Sequence, residues 1–443
     1  MSKFSRRDFI KAGAAVSATS FAAGFTPFAI GGSTKKVVVV GGGVGGATAA
    51  KYIKMADPSI DVTIIEANKD YYTCFFSNEV LSGVRELDSL HAGYSGLKKR
   101  GINMVYGWVD KIDPKKQVVK VKGGKSYKYD RCIVSPGVDF KWDTIDGLDA
   151  SVAETTTHAW KAGPQTLTLK KQLQSMKKGG TFIIAPPPNP FRCPPGPGER
   201  ITQMANYFKV HNPTAKIIAF DPKKGFSKKP WFQNAWERFH GFDSKNPTGN
   251  GMISYHAKDG VVGFDPSTNT VTTASGNKIK GDVVNIIPAQ KAGKVASSSG
   301  LTNDKGWCPV DPKTFESTMH SNIHIVGDSS VASPMPKSGY AANSQAKVCA
   351  LAVVALMNGD KVGHPTYVNT CYSFINEHEA ISVAMVYDYK DGKIIKVKGS
   401  GGLTPKKVDL KQRAREAEYA HSWWNNIVND GWEIGRAWCR ERV

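Results

Sequence analysis

A cysteine in a proline-rich loop is the first candidate for chemistry in this 443-residue sequence. The segment 182–200 reads FIIAPPPNPFRCPPGPGER, an apolar strand followed by a loop that carries Cys193 and, six residues later, Glu199. A cysteine thiolate is a nucleophile and a redox group, and a nearby carboxylate can accept or donate the protons of such chemistry. Glu199 is equally well explained as an acid at a helix N-terminus, where the helix dipole favours negative charge. Both residues are candidate catalytic groups.

The same loop argues against a nicotinamide dinucleotide. A G-x-G-x-x-G turn binds a pyrophosphate through backbone N–H groups at the start of a helix. Proline has no N–H, and the loop contains seven prolines between positions 186 and 197. We therefore expect no NAD(P)H at this site.

A glycine motif near the beginning of the chain predicts a different dinucleotide site. Four valines precede Gly41, Gly43 and Gly46, which have the G-x-G-x-x-G spacing. A second apolar segment, DVTIIEA, brings Glu66 to a position 20 residues after Gly46. This context is typical of a Rossmann unit, in which the acidic residue accepts the ribose hydroxyls of an adenine dinucleotide. The alternative is a tight strand-to-helix turn that binds no ligand.

Two later segments decide which dinucleotide is expected. Residues 131–137, RCIVSPG, resemble the strand and turn that return to the first domain of the two-dinucleotide flavoproteins. Residues 322–328, NIHIVGD, resemble the second FAD motif of those proteins. In that motif the strand ends at a Gly-Asp pair, here Gly327 and Asp328, and the carboxylate binds the flavin ribitol. The resemblance implies FAD.

The next segment predicts the end of the flavin site. Residues 334–349, PMPKSGYAANSQAKVC, are typical of a turn followed by a helix. The N-terminus of this helix, with Lys337, Gly339 and Tyr340, is expected at the pyrimidine edge of the flavin, where positive potential stabilises the reduced anion.

The whole arrangement resembles the FAD-dependent pyridine nucleotide-disulfide oxidoreductase superfamily. The chain has no C-x4-C pair after the first glycine turn, unlike glutathione reductase-like members, and its proline loop distinguishes it from type II NADH dehydrogenases. Over residues 1–430 it resembles the flavoprotein subunits of flavocytochrome c sulfide dehydrogenases. The segments that carry this resemblance are YYTCFFSN around Cys74, FRCPPGPGE around Cys193, PKSGY around Lys337 and YVNTCYSF around Cys371.

This resemblance implies a role for three cysteines. Cys193 and Cys371 would form a redox disulfide beside the flavin, with Cys193 carrying the persulfide after attack by sulfide and Cys371 on the flavin side. An inert structural bridge is the alternative in an oxidising compartment. Cys74 would be joined by a thioether to the 8α-methyl carbon of FAD. The other cysteines before residue 430 are expected to be small buried residues, and they are Cys132, Cys308 and Cys349.

The predicted fold is α/β, with two Rossmann-like dinucleotide-binding domains in a glutathione reductase-like arrangement and a C-terminal α+β interface domain. The FAD-binding domain is expected to be discontinuous, formed by residues 35–150 and 285–360. Residues 151–284 would form the second Rossmann-like domain and residues 361–430 the C-terminal domain. Residues 431–443 continue no pattern of the family and are predicted to be a non-native tail. No metal site is predicted.

The N-terminal residues predict export. The sequence SRRDFIK at residues 5–11 is a twin-arginine pattern, and a weakly apolar stretch follows it. We expect residues 1–30 to be a signal peptide and the mature protein to be periplasmic. The stretch is too polar for a good membrane anchor, so an integral membrane protein is not expected.

Charge and composition limit the partners. The formal net charge is +21, but the basic residues are scattered, so no nucleic acid is expected. The expected substrate is sulfide, and the expected electron acceptor is a separate c-type cytochrome subunit with haem c, because this chain has no C-x-x-C-H motif. One alternative is a sulfide:quinone reductase, although its membrane-buried C-terminal segments contrast with the charged residues 406–420. The other is a non-catalytic flavin-binding relay or assembly partner.

Overall fold

The computed structural model describes residues 35–434. The predicted signal peptide at residues 1–30 and the tail from residue 435 lie outside the described residues. The elements are given below in chain order.

The first part of the chain forms a parallel sheet around a run of valines. Its elements are β1 Lys36–Val40, α1 Val44–Ala56, β2 Asp61–Glu66, β3 Tyr71–Tyr72, α2 Ser77–Ser82, β4 His91–Ala92, α3 Ser95–Lys99, β5 Asn103–Tyr106, β6 Val109–Asp113, β7 Val118–Val121, β8 Ser126–Lys128, β9 Arg131–Val134 and β10 Val138–Phe140. The four valines of β1 are buried, as expected for a parallel strand covered on both faces. β1 pairs in parallel with β2 and β9.

The middle of the chain forms a second parallel sheet. Its elements are α4 Val152–Thr155, α5 Pro164–Gln174, β11 Thr181–Ala185, α6 Gly196–His211, β12 Lys216–Asp221, α7 Lys229–His240, β13 Ile253–Ala257, β14 Val261–Asp265, β15 Thr270–Thr273, β16 Lys278–Lys280 and β17 Val283–Ile286. The strand order is β13-β12-β11-β17, with β14, β15 and β16 in a separate antiparallel sheet. The predicted boundary at residue 284 falls inside β17, because this strand pairs with β11 along its whole length.

The chain then returns to the first sheet. The returning elements are β18 Gln290–Ala292, α8 Lys294–Ser298, β19 Cys308–Pro309, β20 Ile323–Ile325, β21 Ser330–Val331 and α9 Gly339–Asn358. β20 adds to the edge of β9, so the order of the first sheet is β20-β9-β1-β2-β5. The first domain is therefore built from two separate stretches of chain, and its hydrophobic core contains side chains from both.

The last part of the chain is a long hairpin covered by a helix. Its elements are β22 Thr366–Asn376, β23 Glu379–Lys390, β24 Lys393–Lys396, β25 Gly402–Leu403 and α10 Leu410–Gly431. β22 and β23 pair antiparallel, with Cys371 opposite Val383. Helix α10 packs on both strands of the hairpin and also on α1. The hairpin thereby carries Cys371 towards the two Rossmann-like domains.

The end of α10 corrects one prediction. Residues from 431 onwards were expected to be a tail outside the fold, but Trp432 is completely buried. Its indole N–H donates a hydrogen bond to the Gly42 carbonyl at 3.1 Å, and its ring stacks on Tyr71 at 5.1 Å. The fold therefore includes residue 432, which covers the first glycine turn.

Candidate active site

Cys193 lies just before the N-terminus of α6, at the carboxyl end of β11. Its backbone N–H donates to the carbonyl of Lys337 at 2.8 Å, which joins the proline loop to the loop before α9. Its φ of 60° is in the left-handed region, which a non-glycine residue seldom occupies. A Cβ at Gly196 would lie 2.6 Å from the Trp160 ring and 3.0 Å from Cys193 Sγ, so the start of α6 must be glycine.

Cys371 lies in β22 beside a buried lysine. The ammonium of Lys228 lies 3.9 Å from Cys371 Sγ and donates to the Cys371 carbonyl and the Ser373 hydroxyl, each at 3.1 Å. Lys228 directly precedes α7 and is 6 % exposed. Nothing in the sequence around it marks it as a site residue, because its role depends on the packing of α7 against the hairpin.

The structure brings Cys193 and Cys371 into one environment. Burial raises the pKa of Cys193 well above its ordinary value, and the neighbouring Cys371 and Glu199 raise it further. Burial also raises the pKa of Cys371, an effect that Lys228 opposes. Both cysteines are half-buried free thiols. The pair predicted from the family resemblance therefore shares one carboxylate and one ammonium.

Glu199 connects the two cysteine-bearing segments. Its Oε1 accepts a hydrogen bond from the Phe374 backbone N–H at 2.7 Å, and its Oε2 accepts one from Asn78 Nδ2 at 3.2 Å. Burial raises the pKa of Glu199 to about 7. A carboxyl group with this pKa can both accept and donate a proton near neutrality. Glu199 also lies in the first turn of α6, so its position agrees with both sequence interpretations.

Asn78 was missed by sequence reasoning. Its amide donates to Glu199, while its Oδ1 accepts from Arg200 Nε at 3.1 Å. Arg200 is buried, and its other N–H groups donate to the carbonyls of His158 and Ala159 and to Asn285. The orientation of the amide is thus set by a buried guanidinium, which holds its Nδ2 group towards Glu199.

Arg192, the residue before Cys193, is a second missed residue. Its Nε lies 3.9 Å from Asp328 Oδ2, and it donates to the Trp160 carbonyl at 2.6 Å. Burial lowers the pKa of Arg192, but Cys74 and Asp328 outweigh this effect and raise it. The guanidinium therefore links the cysteine loop to the two residues predicted to bind the cofactor.

Cys74 lies in an aromatic loop between β3 and α2. Its carbonyl accepts a hydrogen bond from the Ser77 hydroxyl at 2.6 Å. The next residue, Phe75, packs edge-on against Trp423 at 5.1 Å. Trp424 donates its indole N–H to the Thr73 hydroxyl at 3.1 Å. The tryptophans of α10 thus fix the backbone on which Cys74 is carried.

The first glycine turn has the form that the motif predicts. A Cβ on Gly46 would collide with the carbonyl oxygen of Gly41, which has a φ of 96°. The carboxylate of Glu66 accepts from the backbone N–H of Gly42 at 2.6 Å and of Asn68 at 2.9 Å. Glu66 is therefore held at the carboxyl end of β2, beside the turn.

The residues at the start of α9 differ in what they contact. Lys337 donates to the carbonyls of Asp328 and Ser330 and lies 3.8 Å from the centre of the Trp307 ring. Burial lowers its pKa to about 8. A Cβ on Gly339 would lie 2.6 Å from the Phe75 ring. Tyr340, half-buried, stacks with Trp423 at 6.1 Å.

Ser338, between these residues, is the N-cap of α9. Its hydroxyl accepts from the Ala341 N–H at 3.1 Å and donates to Asn369 at 2.6 Å. This contact ties the start of α9 to β22, two residues before Cys371. The sequence signal that could have found it is the serine directly before an alanine-rich helix.

Three family models match this chain. The model "Sulfide dehydrogenase [flavocytochrome c] flavoprotein chain, central" matches residues 166–288, and "Flavocytochrome c sulphide dehydrogenase, flavin-binding" matches residues 363–432. "Pyridine nucleotide-disulphide oxidoreductase" matches residues 35–179. The chain is also 60% identical over 47 residues to the sulfide dehydrogenase [flavocytochrome c] flavoprotein chain of Chlorobaculum thiosulfatiphilum, covering 98% of that sequence and 11% of this one.

The chain belongs to the flavocytochrome c sulfide dehydrogenase flavoprotein family.

More distant relatives share the fold of this family. The mitochondrial sulfide:quinone oxidoreductase of Dictyostelium discoideum is 24% identical over 337 residues, which are 74% of this chain and 72% of that protein. The crystal structure of the sulfide:quinone oxidoreductase from Aquifex aeolicus has a TM-score of 0.70 at 17% identity, over 90% of this chain and 92% of that one. The predicted fold class is confirmed.

The residues of this family member fit FAD. Asp328 Oδ1 is buried, and no residue in the described part of the chain donates a hydrogen bond to it. Because buried polar atoms are nearly always paired, this oxygen suits a ligand hydroxyl such as those of the flavin ribitol. Gly41 and Gly46 leave no room for a Cβ beside the first turn. Asp328, the glycine turn and Glu66 would hold the cofactor.

Proposed function

We propose that this chain is the flavoprotein of a periplasmic sulfide dehydrogenase, which oxidises sulfide to polysulfide or sulfur and passes the electrons to a c-type cytochrome. The observation that carries the proposal is the pair Cys193 and Cys371, which share Glu199 and Lys228 beside the residues suited to FAD. When bound, FAD supplies the two-electron acceptor for the pair. Membership of the family supports the same activity.

The proposed chemistry begins from the disulfide form of the pair. Hydrosulfide attacks Cys193 Sγ, a new S–S bond forms, and the bond between Cys193 and Cys371 breaks. Cys193 then carries a persulfide that keeps the hydrosulfide proton, and Cys371 leaves as a thiolate. A second hydrosulfide attacks the outer sulfur, which releases disulfane and a Cys193 thiolate. Glu199 accepts or donates the protons that the hydrosulfide and persulfide lose or gain.

A surface pocket lies beside the proline loop that carries Cys193. It lies between the proline loop and the loop before α7, and its lining includes Phe191, Pro194, Phe226 and Ser227. Pro194 follows Cys193 and Ser227 precedes Lys228, so the pocket lies next to both residues in the chain. We propose that hydrosulfide enters and polysulfide leaves here.

A nicotinamide donor does not fit the second Rossmann-like domain. Asp221 ends β12, where such folds bind ligands at the carboxyl ends of the strands. Its Oδ1 pairs with the Lys223 ammonium at 2.7 Å, and its Oδ2 accepts from the Tyr255 hydroxyl at 2.8 Å. Unlike Glu66, whose closest partners are backbone N–H groups, Asp221 is neutralised by an ammonium and bonded to a second side chain. This adds to the lack of backbone donors in the proline loop.

The test of the proposed function is anaerobic reduction by sulfide. Purified protein loaded with FAD is mixed with sulfide, and the flavin absorbance is followed before and after the addition of cytochrome c. We expect bleaching and then reoxidation, both abolished in Cys193→Ser and Cys371→Ser. Cys349→Ala, a change at a buried cysteine of α9, is the control that should behave as wild type. If sulfide leaves the flavin oxidised, the dehydrogenase proposal is wrong.

The second candidate is sulfide:quinone reductase, favoured by the matches to proteins of that name. Among residues 35–434, the helix α9 is long and apolar enough to cross a membrane, but more than half of it is buried inside the protein. Helix α10 begins with the charged sequence LKQRAREAE. Reoxidation of the bleached flavin by a soluble quinone and not by cytochrome c would favour this candidate. A purely relaying flavoprotein would keep its activity without Cys193 or Cys371.

A further inference from the structure

We propose that Lys228 stabilises the thiolate of Cys371, which makes Cys371 the sulfur that leaves when the cysteine pair is opened. This inference rests on the proposed function and assigns a role within the same site. Neither a sequence motif nor the chemistry of the cysteines identifies Lys228 as a site residue. The contacts of its ammonium group in the fold indicate the role.

The ammonium of Lys228 points at the cysteine segment of β22. It lies 3.9 Å from Cys371 Sγ and donates hydrogen bonds to the carbonyls of Cys371 and Ile381 and to the Ser373 hydroxyl. These contacts hold the charge in place on both strands of the hairpin. A charged donor within reach of sulfur favours the thiolate over the thiol.

The ammonium of Lys228 has no carboxylate in direct contact, unlike that of Lys223. Lys223, five residues earlier, has the Asp221 carboxylate at 2.7 Å. The three short hydrogen bonds of Lys228 all go to uncharged oxygens. The Glu199 carboxylate acts on Lys228 only from a distance, without an ion pair. Burying an ammonium without a direct partner of opposite charge is costly, so an anion at Cys371 Sγ would stabilise Lys228.

The backbone of Lys228 is also unusual. Its φ is 62°, a left-handed conformation that non-glycine residues seldom adopt. Glycine or asparagine would adopt this conformation more easily. The backbone conformation at this position therefore gives no reason of its own for a lysine.

The two sulfurs differ in what faces them. Cys371 is faced by Lys228 from the segment before α7 and by Glu199 from α6, whose negative charge opposes a thiolate. Cys193 is faced by Glu199 and by Cys371 itself, with Arg192 and Lys228 as the cations. The first backbone N–H of α6, that of Gly196, donates to the Cys193 carbonyl at 2.9 Å and not to the Cys193 sulfur. The lysine contact at sulfur belongs to Cys371.

The chemical step is complete without another reactant. Hydrosulfide donates an electron pair to Cys193 Sγ, and the bond between the two cysteine sulfurs breaks. The pair of electrons from that bond stays on Cys371 Sγ, next to the Lys228 ammonium, and the proton stays on the terminal sulfur of the Cys193 persulfide. A leaving thiol with a lower pKa departs faster, so the lysine would accelerate opening in this direction.

The first test measures thiolate formation without sulfide. The holoprotein is reduced anaerobically, and alkylation of each cysteine by iodoacetamide is followed by peptide mass spectrometry across a pH series. In Lys228→Met we expect the alkylation rate of Cys371 at pH 7 to fall at least about 10-fold, because one pKa unit is a tenfold change in the thiolate fraction. Lys228→Arg should retain most of the wild-type rate.

Lys229→Met is the matched control, because Lys229 is adjacent but its ammonium lies over the Tyr255 ring. It should leave the Cys371 profile unchanged. If Lys228→Met fails to fold, Lys228→Gln removes the charge while keeping a hydrogen-bond donor and carries the same comparison. A folded variant without the charge whose Cys371 profile matches wild type would overturn the proposal.

The second test locates the persulfide after one equivalent of sulfide is added to the oxidised holoprotein. Wild type should carry the extra sulfur on Cys193, and Lys228→Met should divide it between the two cysteines. Wild-type protein that forms no persulfide would refute the proposed function, while the alkylation profiles would still judge the role of Lys228. Persulfide confined to Cys193 in both proteins would count against the lysine as the cause of the direction.

Discussion

At the scale of single residues, the site depends on charges that are paired with neutral groups. Glu199 accepts from a backbone N–H and an amide, and Lys228 donates to carbonyls and a hydroxyl. Neither of the two forms a direct ion pair with the other. Such groups respond to a change of charge at the cysteines, which is what a site that alternates between disulfide and thiolates requires.

Replacement of Glu199 should change the pH dependence of flavin reduction by sulfide. The pKa of Glu199 is raised to about 7 by burial, so the carboxylate form that can accept a proton increases as the pH rises through 7. Glu199→Gln should lower the rate at pH 8 by about 100-fold, within the range of general base catalysis. Stopped-flow absorbance at pH 6 to 8 measures it.

Sulfide itself titrates near neutrality, so the ratio of wild type to Glu199→Gln at each pH is the quantity to compare. Glu237→Gln, at an exposed position of α7, is the control and should give a constant ratio near one. A ratio for Glu199→Gln that does not rise between pH 6 and pH 8 would contradict a base role for this residue.

Cys74 is the residue proposed to bind FAD covalently. Its loop is fixed by Phe75, which packs edge-on against Trp423 and lies so near Gly339 that a Cβ there would be 2.6 Å from its ring. We expect wild-type protein to retain its flavin after acid precipitation and Cys74→Ala to release it into the supernatant. Intact-protein mass spectrometry should show the added mass of FAD in the wild type only. Flavin released from both proteins would disprove the thioether.

At the scale of elements, three loops meet because of particular backbone contacts. The proline loop is joined to the loop before α9 by the hydrogen bond from Cys193 to Lys337, and α9 is joined to β22 by Ser338 and Asn369. Glu199 joins α6 to β22 through Phe374. The cysteine pair is thus positioned by α6, α9 and β22 together. A substitution that moves one of these segments is therefore expected to displace the others.

The glycine turn between β1 and α1 gives a prediction at this scale. In Gly46→Ala the new methyl group would collide with the Gly41 carbonyl, and backbone against backbone has little freedom to shift. We expect at least a 10-fold loss of bound flavin per protein, measured by absorbance ratio after purification. Gly363→Ala is the control, since nothing lies within 4 Å of a Cβ built there. Normal flavin content in a folded Gly46→Ala protein would refute the role of this turn.

Local patterns predicted the elements that short stretches of sequence determine. The valine run, the glycine spacing and Glu66 indicated the first Rossmann unit because strand, turn and helix are adjacent in sequence. Lys228 and Asn78 could not be found in this way, since their neighbours in space come from β22 and α6. Trp432 was placed outside the fold because its contacts with Gly42 and Tyr71 are distant in sequence.

At the scale of the whole molecule, the important property is the excess of basic over acidic residues. The formal net charge is +21 over the full sequence. The hydrosulfide substrate is an anion, and the proposed acceptor is a separate protein. A positively charged protein meets small anions and acidic proteins at a higher rate, and dissolved salt screens this attraction.

The electron acceptor should therefore be distinguished by charge. We expect the sulfide-treated protein to reduce an acidic c-type cytochrome faster than a basic one. The rate with the acidic cytochrome should fall at least several-fold as the ionic strength rises from about 10 mM to about 300 mM. The reason is that the Debye length shrinks from about 30 Å to well under 10 Å over that range. Reoxidation by an uncharged soluble quinone is the control and should vary little with salt. Reduction of a basic cytochrome at the greater rate, or a salt-independent rate with the acidic one, would contradict electrostatic recognition of the acceptor and would direct attention to the quinone reaction instead.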